Sequence, residues 1–553
     1  MNKKVCFFPI LFALLALLIG TCAVVFPASA QAAPTSAGSI TVSGTVASSY
    51  DAYQIFSANV VDGDSDAKIA TDLAWASDAA RDAVLPVLHS AGMPNSQTTA
   101  QEAAEWLNTD SHLTSALSAQ LARSLQSSGA VSVALNAGTA AELPCGYWLI
   151  VADDAAIAQG EAGTAPIMTL VGGSAVTVKP KAATPKVSKR VLEDGTAAWQ
   201  KAADATVADD LYWRLSATVP AGLTAYDTYT VQFVDTMSVG LDPSKVAASM
   251  RVYVAAGADG GFDAVACEGG NANSTSAKGW TDITSQCKVS IEGNAFTVRT
   301  GDLIAALGGA DAFTAGARVV AVYNAPLNGA CNHGIAKGNP NEVYLRYPRS
   351  PFADQSGDAG FTRTPSDDAT AYTWDLALTK RGSDGDKPLA GAVLSIADDR
   401  GRTLAADGTW DAEGKAIVTT GEDGRVTVSG MDSGKLEVRE LKAPKGYTAF
   451  EGMRSVTVKA EGLDVDQVAA AKPKLTITAE SPLRADSADG STGSLEASLI
   501  NTPTGTPPSI TTGGFMPSTG DMAMYAAAAA AVAGAALIVV ALLVKRGGGS
   551  HKE

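Results

Sequence analysis

Short runs of alternating apolar and polar residues, rich in Val, Ile, Thr and Tyr and separated by turn residues, recur along most of this chain. Such a period of two puts successive side chains on opposite faces of a strand. A chain built from many such runs can bury its apolar faces by stacking one sheet on another. The runs fall at 37–62, 130–135, 146–152 and 174–179, then at 187–191, 210–219, 229–235, 250–255, 295–299, 317–323 and 342–347. A further set begins at 372–380 and is punctuated by tight turns at Asp384-Gly385, Asp407-Gly408 and Asp423-Gly424. One stretch breaks the pattern. Ser77–Leu88, Thr98–Leu107 and Leu113–Leu125 are rich in Ala and Leu, with Asp, Ser or Thr near their starts, and read as helices with N-caps. The expected fold is mainly β: tandem Ig-like β-sandwich domains, with helical insertions in the N-terminal one.

The two ends carry a different signal. Lys3 and Lys4 precede an apolar run from Val5 to Phe26, and Pro27-Ala28-Ser29-Ala30 follows. That order reads as a secretory signal peptide cleaved after Ala30 or Ala32. At the other end, Met522 to Val544 is apolar and long enough to span a bilayer. Lys545 and Arg546 behind it fit a cytoplasmic tail, 545–553.

An exported chain sets the context for composition. Removing both processed ends leaves roughly 490 residues, enough for about three domains. A net charge of −16 and the lack of a basic patch argue against nucleic acid as a partner. Outside the leader, Cys145, Cys267, Cys287 and Cys331 allow three disulfide connectivities, of which Cys267–Cys287 would close a loop within one domain. With no C-x-x-C spacing and four histidines, a metal site has little to draw on, and no cofactor is expected. There is no G-x-S-x-G, no H-E-x-x-H and no Cys–His arrangement suggesting an enzyme.

Composition shifts divide the chain. Expected units are a signal peptide, 1–30; a β domain with inserted helices, 31–180; a second domain, 181–370; a third, 371–502; and a Pro/Gly/Thr-rich linker, 503–515. The segment 256–290 looks like an insertion in the second domain, and 349–369 like a polar connection.

Three motifs carry a family resemblance. Residues 516–520 read MPSTG, directly before the C-terminal apolar span and basic pair. This is similar to the LPxTG sorting signal of Gram-positive wall-anchored proteins, with Met516 for leucine. Residues 436–447, LEVRELKAPKGY, resemble the E-box of CnaB-type pilin domains. Residues 233–241, FVDTMSVGL, resemble a segment of the middle domain of sortase-assembled backbone pilins. The chain as a whole resembles those backbone pilins.

The resemblance implies specific roles. In such domains a lysine and an asparagine join in an intramolecular isopeptide bond promoted by a carboxylic acid. In the third domain these would be Lys380, Asn501 and Glu440. In the second they would be Lys189, Asn341 and Asp235, with Asn339 an open alternative to Asn341. Burial favours such chemistry. An amine attacks only when neutral, and an apolar core lowers a lysine pKa while raising that of a carboxyl group. Strand packing then holds the reactants in contact, in place of a diffusing enzyme. In the carried-over picture the acid polarises the asparagine carbonyl.

Between subunits, the resemblance implies that a sortase attacks the Thr519 carbonyl, releases the chain from Gly520 onward, and passes Thr519 to a lysine of another subunit. Lys181, in the Val176–Lys181 segment that lines up with the pilin motif, is the candidate, with Lys179 and Lys186 open. The implied function is a structural, non-enzymatic shaft subunit of a covalently polymerised surface pilus. The runner-up is a wall-anchored adhesin or minor pilin outside the shaft. Implied partners are pilus-type and housekeeping sortases, identical subunits, minor pilins, peptidoglycan, and host surface or matrix proteins. The implied location is the cell surface, reached through a membrane-held precursor.

Overall fold

The computed structural model describes residues 36–505, except 65–66, 110, 181–183, 222, 258–278, 335 and 337. The signal peptide, the 516–520 motif, the 522–544 span and Lys181 lie outside the described residues. Among the described residues no helix is long and apolar enough to cross a membrane.

The chain is mainly β, and the sheets of the described residues form three successive units. In the first, a three-stranded sheet faces a five-stranded one across a core that includes Ile40, Tyr50, Trp148 and Ile150. The other face of the larger sheet is covered by helices Asp78–Ser90, Ala100–Asn108 and Ser115–Ser128. Their starts follow from local chemistry. The hydroxyls of Ser77, Thr99 and Thr114 each accept a backbone N–H of the first turn, and Thr99 with Glu102 forms a reciprocal capping box. Ala83, Val84, Leu121 and Leu125 pack beneath them on Tyr53 and Phe56.

The second unit is a sandwich of a six-stranded and a seven-stranded sheet. Trp213, Phe233, Val252, Phe296, Val319 and Leu345 fill the space between, all fully or almost fully buried. The stretch read as a polar connection contributes to it: Phe361–Arg363 and Asp367–Tyr372 both pair with Asn339–Pro348. Nor is 256–290 simply an insertion. Trp280–Asp282 is an edge strand of one sheet and Lys288–Glu292 of the other.

The third unit stacks a five-stranded sheet on a seven-stranded one around Trp374, Leu376, Leu394, Val438, Val456 and Leu499. Its first strand, Trp374–Gly382, runs parallel to its last, Ser494–Pro503. Units two and three meet closely. A Cβ placed on Gly334 would lie 2.4 Å from the Thr492 carbonyl carbon, so only glycine fits there. Val207 N–H donates to the Gly430 carbonyl at 2.8 Å across the same joint. Units one and two meet through Arg123, 3.1 Å from Asp227, and through the Tyr347 hydroxyl, which donates to the Gly160 carbonyl.

Candidate functional site

Lysine is rarely buried without a partner, yet Lys189 and Lys380 are both fully buried, at 0% exposure. Each sits in a strand whose alternation turns it inward: Lys189 in Val187–Glu193 and Lys380 in Trp374–Gly382.

In the third unit, Lys380 pairs with Leu499 on the neighbouring parallel strand, and Asn501 follows two residues later on the same face. Asn501 is 2% exposed. The acid comes from the facing sheet. Glu440, in Gly434–Lys442, lies with Oε1 3.6 Å from Lys380 Nζ. Asn501 Nδ2 donates to Glu440 Oε1 and Oε2 at 2.9 and 3.1 Å, and Phe450 N–H donates to Oε2 at 3.1 Å. Asn501 Oδ1 has no hydrogen-bond partner. The carboxyl therefore rests on the amide nitrogen, whereas the sequence reading put it on the carbonyl. Desolvation pulls the Lys380 amine down to about 8, although Glu440 opposes that shift.

In the second unit the cluster spans both sheets. Lys189 belongs to the six-stranded sheet, and Asp235 and Asn341 to the seven-stranded one. All three are 0% exposed. Lys189 Nζ donates to Asp235 Oδ2. Desolvation lowers the amine to about 8 against the opposing pull of Asp235. It also raises the Asp235 carboxyl, with Lys189 opposing. Asn339, two residues from Asn341, is occupied elsewhere: its Nδ2 donates to the carbonyls of Asn332 and Ala371, and its Oδ1 accepts from Asn332 N–H.

Sequence reasoning missed Tyr323. Its hydroxyl accepts from Lys189 Nζ at 2.9 Å and from Asn341 Nδ2 at 2.8 Å, and donates to Asp235 Oδ2 at 3.0 Å. It lies in Arg318–Asn324, an almost wholly buried run where it reads as one more core aromatic. The available signal was that a buried tyrosine hydroxyl needs a polar partner.

The remaining candidates stand apart from these clusters. Lys179 and Lys186, flanking Lys181, are exposed. Cys287 carries a partly buried thiol donating to the Ile283 carbonyl at 3.3 Å, while Cys267 lies outside the described residues. Thr519 and Gly520 also lie outside them.

Each of these two units thus buries an amine, depressed toward neutrality, near a carboxyl group and an asparagine amide. Residues 375–472, in the third unit, match the family described as SpaA, prealbumin-like fold domain. Among individual proteins, the chain is 31% identical over 134 residues to the trypsin-resistant surface T6 protein of Streptococcus pyogenes serotype M6, a match spanning 23% of each. Among solved structures, the T6 backbone pilin of serotype M6 S. pyogenes superposes over 85% of this chain and 98% of its own, at 16% identity and a TM-score of 0.46. The full-length major pilin SpaD of Corynebacterium diphtheriae does so over the same shares, at 14% identity and a TM-score of 0.41.

Proposed function

We propose that this chain is the shaft subunit of a covalently polymerised surface pilus, and that each of its second and third units closes an internal Lys–Asn amide bond. The observation that carries the reading is the Lys380, Glu440 and Asn501 cluster, within the unit similar to SpaA domains. The amine is half neutral near pH 8, because burial disfavours its charge. The asparagine is held on the adjacent strand and its leaving nitrogen rests on a carboxyl group. Attack of Lys380 Nζ on Asn501 Cγ expels ammonia and needs no cofactor. The product ties the first strand of the unit to its last, so pulling on the ends cannot peel that edge apart.

Between subunits, the sequence at 516–520, similar to a sorting signal, supplies the acyl group through Thr519, and Lys181 supplies the amine. Thr519 follows the third unit in sequence and Lys181 precedes the second, so a bond between them in different copies is head to tail and extends into a filament. In sequence Lys181 lies between the strands of the first unit and those of the second, and Lys179 and Lys186 on either side of it are exposed. The sortase that forms the bond, the minor pilins and the wall itself are the remaining partners in this reading.

The test is polymerisation in cells carrying the matching sortase. A ladder resistant to boiling in detergent, abolished by Lys181→Ala, supports a shaft subunit. A single band from the unaltered chain, with Lys181 free, points instead to a wall-anchored adhesin or a minor pilin.

A further inference from the structure

The two clusters are hydrogen-bonded differently. In the third unit the acid itself meets the leaving nitrogen, through the two contacts from Asn501 Nδ2 to Glu440. Among the described residues, no hydroxyl hydrogen-bonds to that trio. In the second unit Asp235 makes no hydrogen bond to Asn341. Its Oδ2 takes contacts from Lys189 and Tyr323, and its Oδ1 has no partner. The group on Asn341 Nδ2 is the Tyr323 hydroxyl.

From this geometry we infer that Tyr323 is a catalytic residue of the second unit, the group that carries a proton from Asp235 to the departing nitrogen of Asn341. The inference rests on the reading that Lys189 and Asn341 become joined. A phenol has one proton to donate and two lone pairs to accept with. Tyr323 uses all three, each on a member of the cluster. Its ring is fixed edge-on against Phe296, with centroids 4.8 Å apart, and its backbone pairs with Trp213 of the next strand. The hydroxyl is thus held between donor and acceptor in a site without solvent access.

The reaction balances without any outside reagent. The Lys189–Asp235 pair holds one proton between its members, and with that proton on Asp235 the Nζ lone pair is free. Nζ attacks Asn341 Cγ, and the carbonyl π electrons move to Oδ1. Tyr323 gives its proton to Nδ2 and recovers one from Asp235. Asp235 in turn takes the proton that Nζ sheds. The Cγ–Nδ2 bond then breaks, the carbonyl re-forms and ammonia departs. Asp235 and Tyr323 end as they began. In the third unit, Glu440 plays both parts.

The experiment follows newly made full-length chain by mass after a short pulse of synthesis, with proteolytic mapping to assign each lost ammonia to its cluster. Tyr323→Phe keeps the ring and removes the relay. General acid–base assistance is worth about 100-fold or more in rate, so the Lys189–Asn341 bond should form about 100-fold more slowly, with Lys380–Asn501 at its usual rate as an internal control. A second arm places 3-fluorotyrosine at position 323, which preserves packing and hydrogen bonding but makes the phenol more acidic. The rate in the second unit should change while that in the third does not. Unchanged rates in the fluorinated chain, or a Tyr323→Phe chain that bonds as fast as the parent, overturn the relay and leave the crosslink reading intact. A parent chain that never loses ammonia at Lys189 and Asn341 refutes the crosslink in that unit, and the relay with it.

Discussion

Lys380 and Asn501 sit on adjacent parallel strands two residues out of register, since Lys380 pairs with Leu499 and Asn501 with Gly382. Parallel pairing of first and last strands brings residues some 120 positions apart in sequence to the same buried spot. A crosslink there would constrain nearly the whole unit. By chain entropy, closing a loop of ~120 residues is worth roughly 5 kcal/mol.

That figure sets the first prediction. Glu440→Ala should retain the ammonia at Lys380 and Asn501. At a few degrees per kcal/mol, it should lower the melting temperature of the third unit by about 15–20 °C. Calorimetry paired with intact mass checks both. Loss of the ammonia at the normal rate in the Ala variant would remove Glu440 from the chemistry.

A second prediction concerns pH. Burial holds the Lys380 amine at about 8. Its neutral fraction, and with it the rate of bond formation in freshly made chain, should rise with pH and level off above about 8. For a precursor that cannot react, the sign for stability is the same. The folded state holds fewer protons than the unfolded one between about 8 and the ordinary lysine value of 10.5, so stability rises with pH across that window. Asn501→Ala gives such a precursor, and its melting temperature should climb through that range.

The joint between units two and three supplies a third prediction, with the opposite sign. Asp204 accepts from Trp374 Nε1 at 2.6 Å and from Ser433 N–H at 2.9 Å, and its own N–H donates to Glu193 at 3.1 Å. Burial, with Asp204 close by, pushes the Glu193 carboxyl up to about 8, and burial raises Asp432 well above its usual range. The surrounding charges are Asp194 and Asp209, which pair with Arg400 and Arg402. Raised carboxyls keep protons in the fold that the unfolded chain gives up. The joint should therefore weaken as pH climbs from the ordinary glutamate value of 4.5 to about 8. Asp432→Asn should flatten that dependence and raise the melting temperature at pH 8 by several degrees. A pH-independent melt of the unaltered chain would contradict the assignment.

Backbone contact at the same joint gives a fourth. Gly334 has φ of +78°, and a Cβ there would meet Thr492 backbone atoms at 2.4–2.7 Å. Neither backbone can yield as a flexible side chain would. Gly334→Ala should cost about 2 kcal/mol and let protease reach the segment joining the two units, while leaving both crosslinks in place. Limited proteolysis with mass mapping reads both outcomes.

Much of this was legible from sequence, for identifiable reasons. The helices announced themselves through their caps, because Ser77, Thr99 and Thr114 begin Ala- and Leu-rich runs. Most strands followed from alternation, and the third unit's cluster from a motif that keeps Glu440 at a fixed distance from Pro444 and Tyr447. What stayed hidden depends on contacts distant in sequence. Phe361–Arg363 and Asp367–Tyr372 are short and polar at their edges, and only pairing with Asn339–Pro348 makes them strands. Tyr323 lies 134 residues from Lys189, in a segment whose other members are plain core. Asp204 and Ser433 are 229 positions apart, so no local pattern signals their bond.

The measurement that bears most directly on the account is the intact mass of the recombinant chain lacking its two terminal apolar segments, with the linked peptides then mapped. The account predicts a mass short of the sequence by two ammonia molecules, with branched peptides joining Lys189 to Asn341 and Lys380 to Asn501. A mass equal to that of the sequence, with all four residues recovered unmodified, would contradict it.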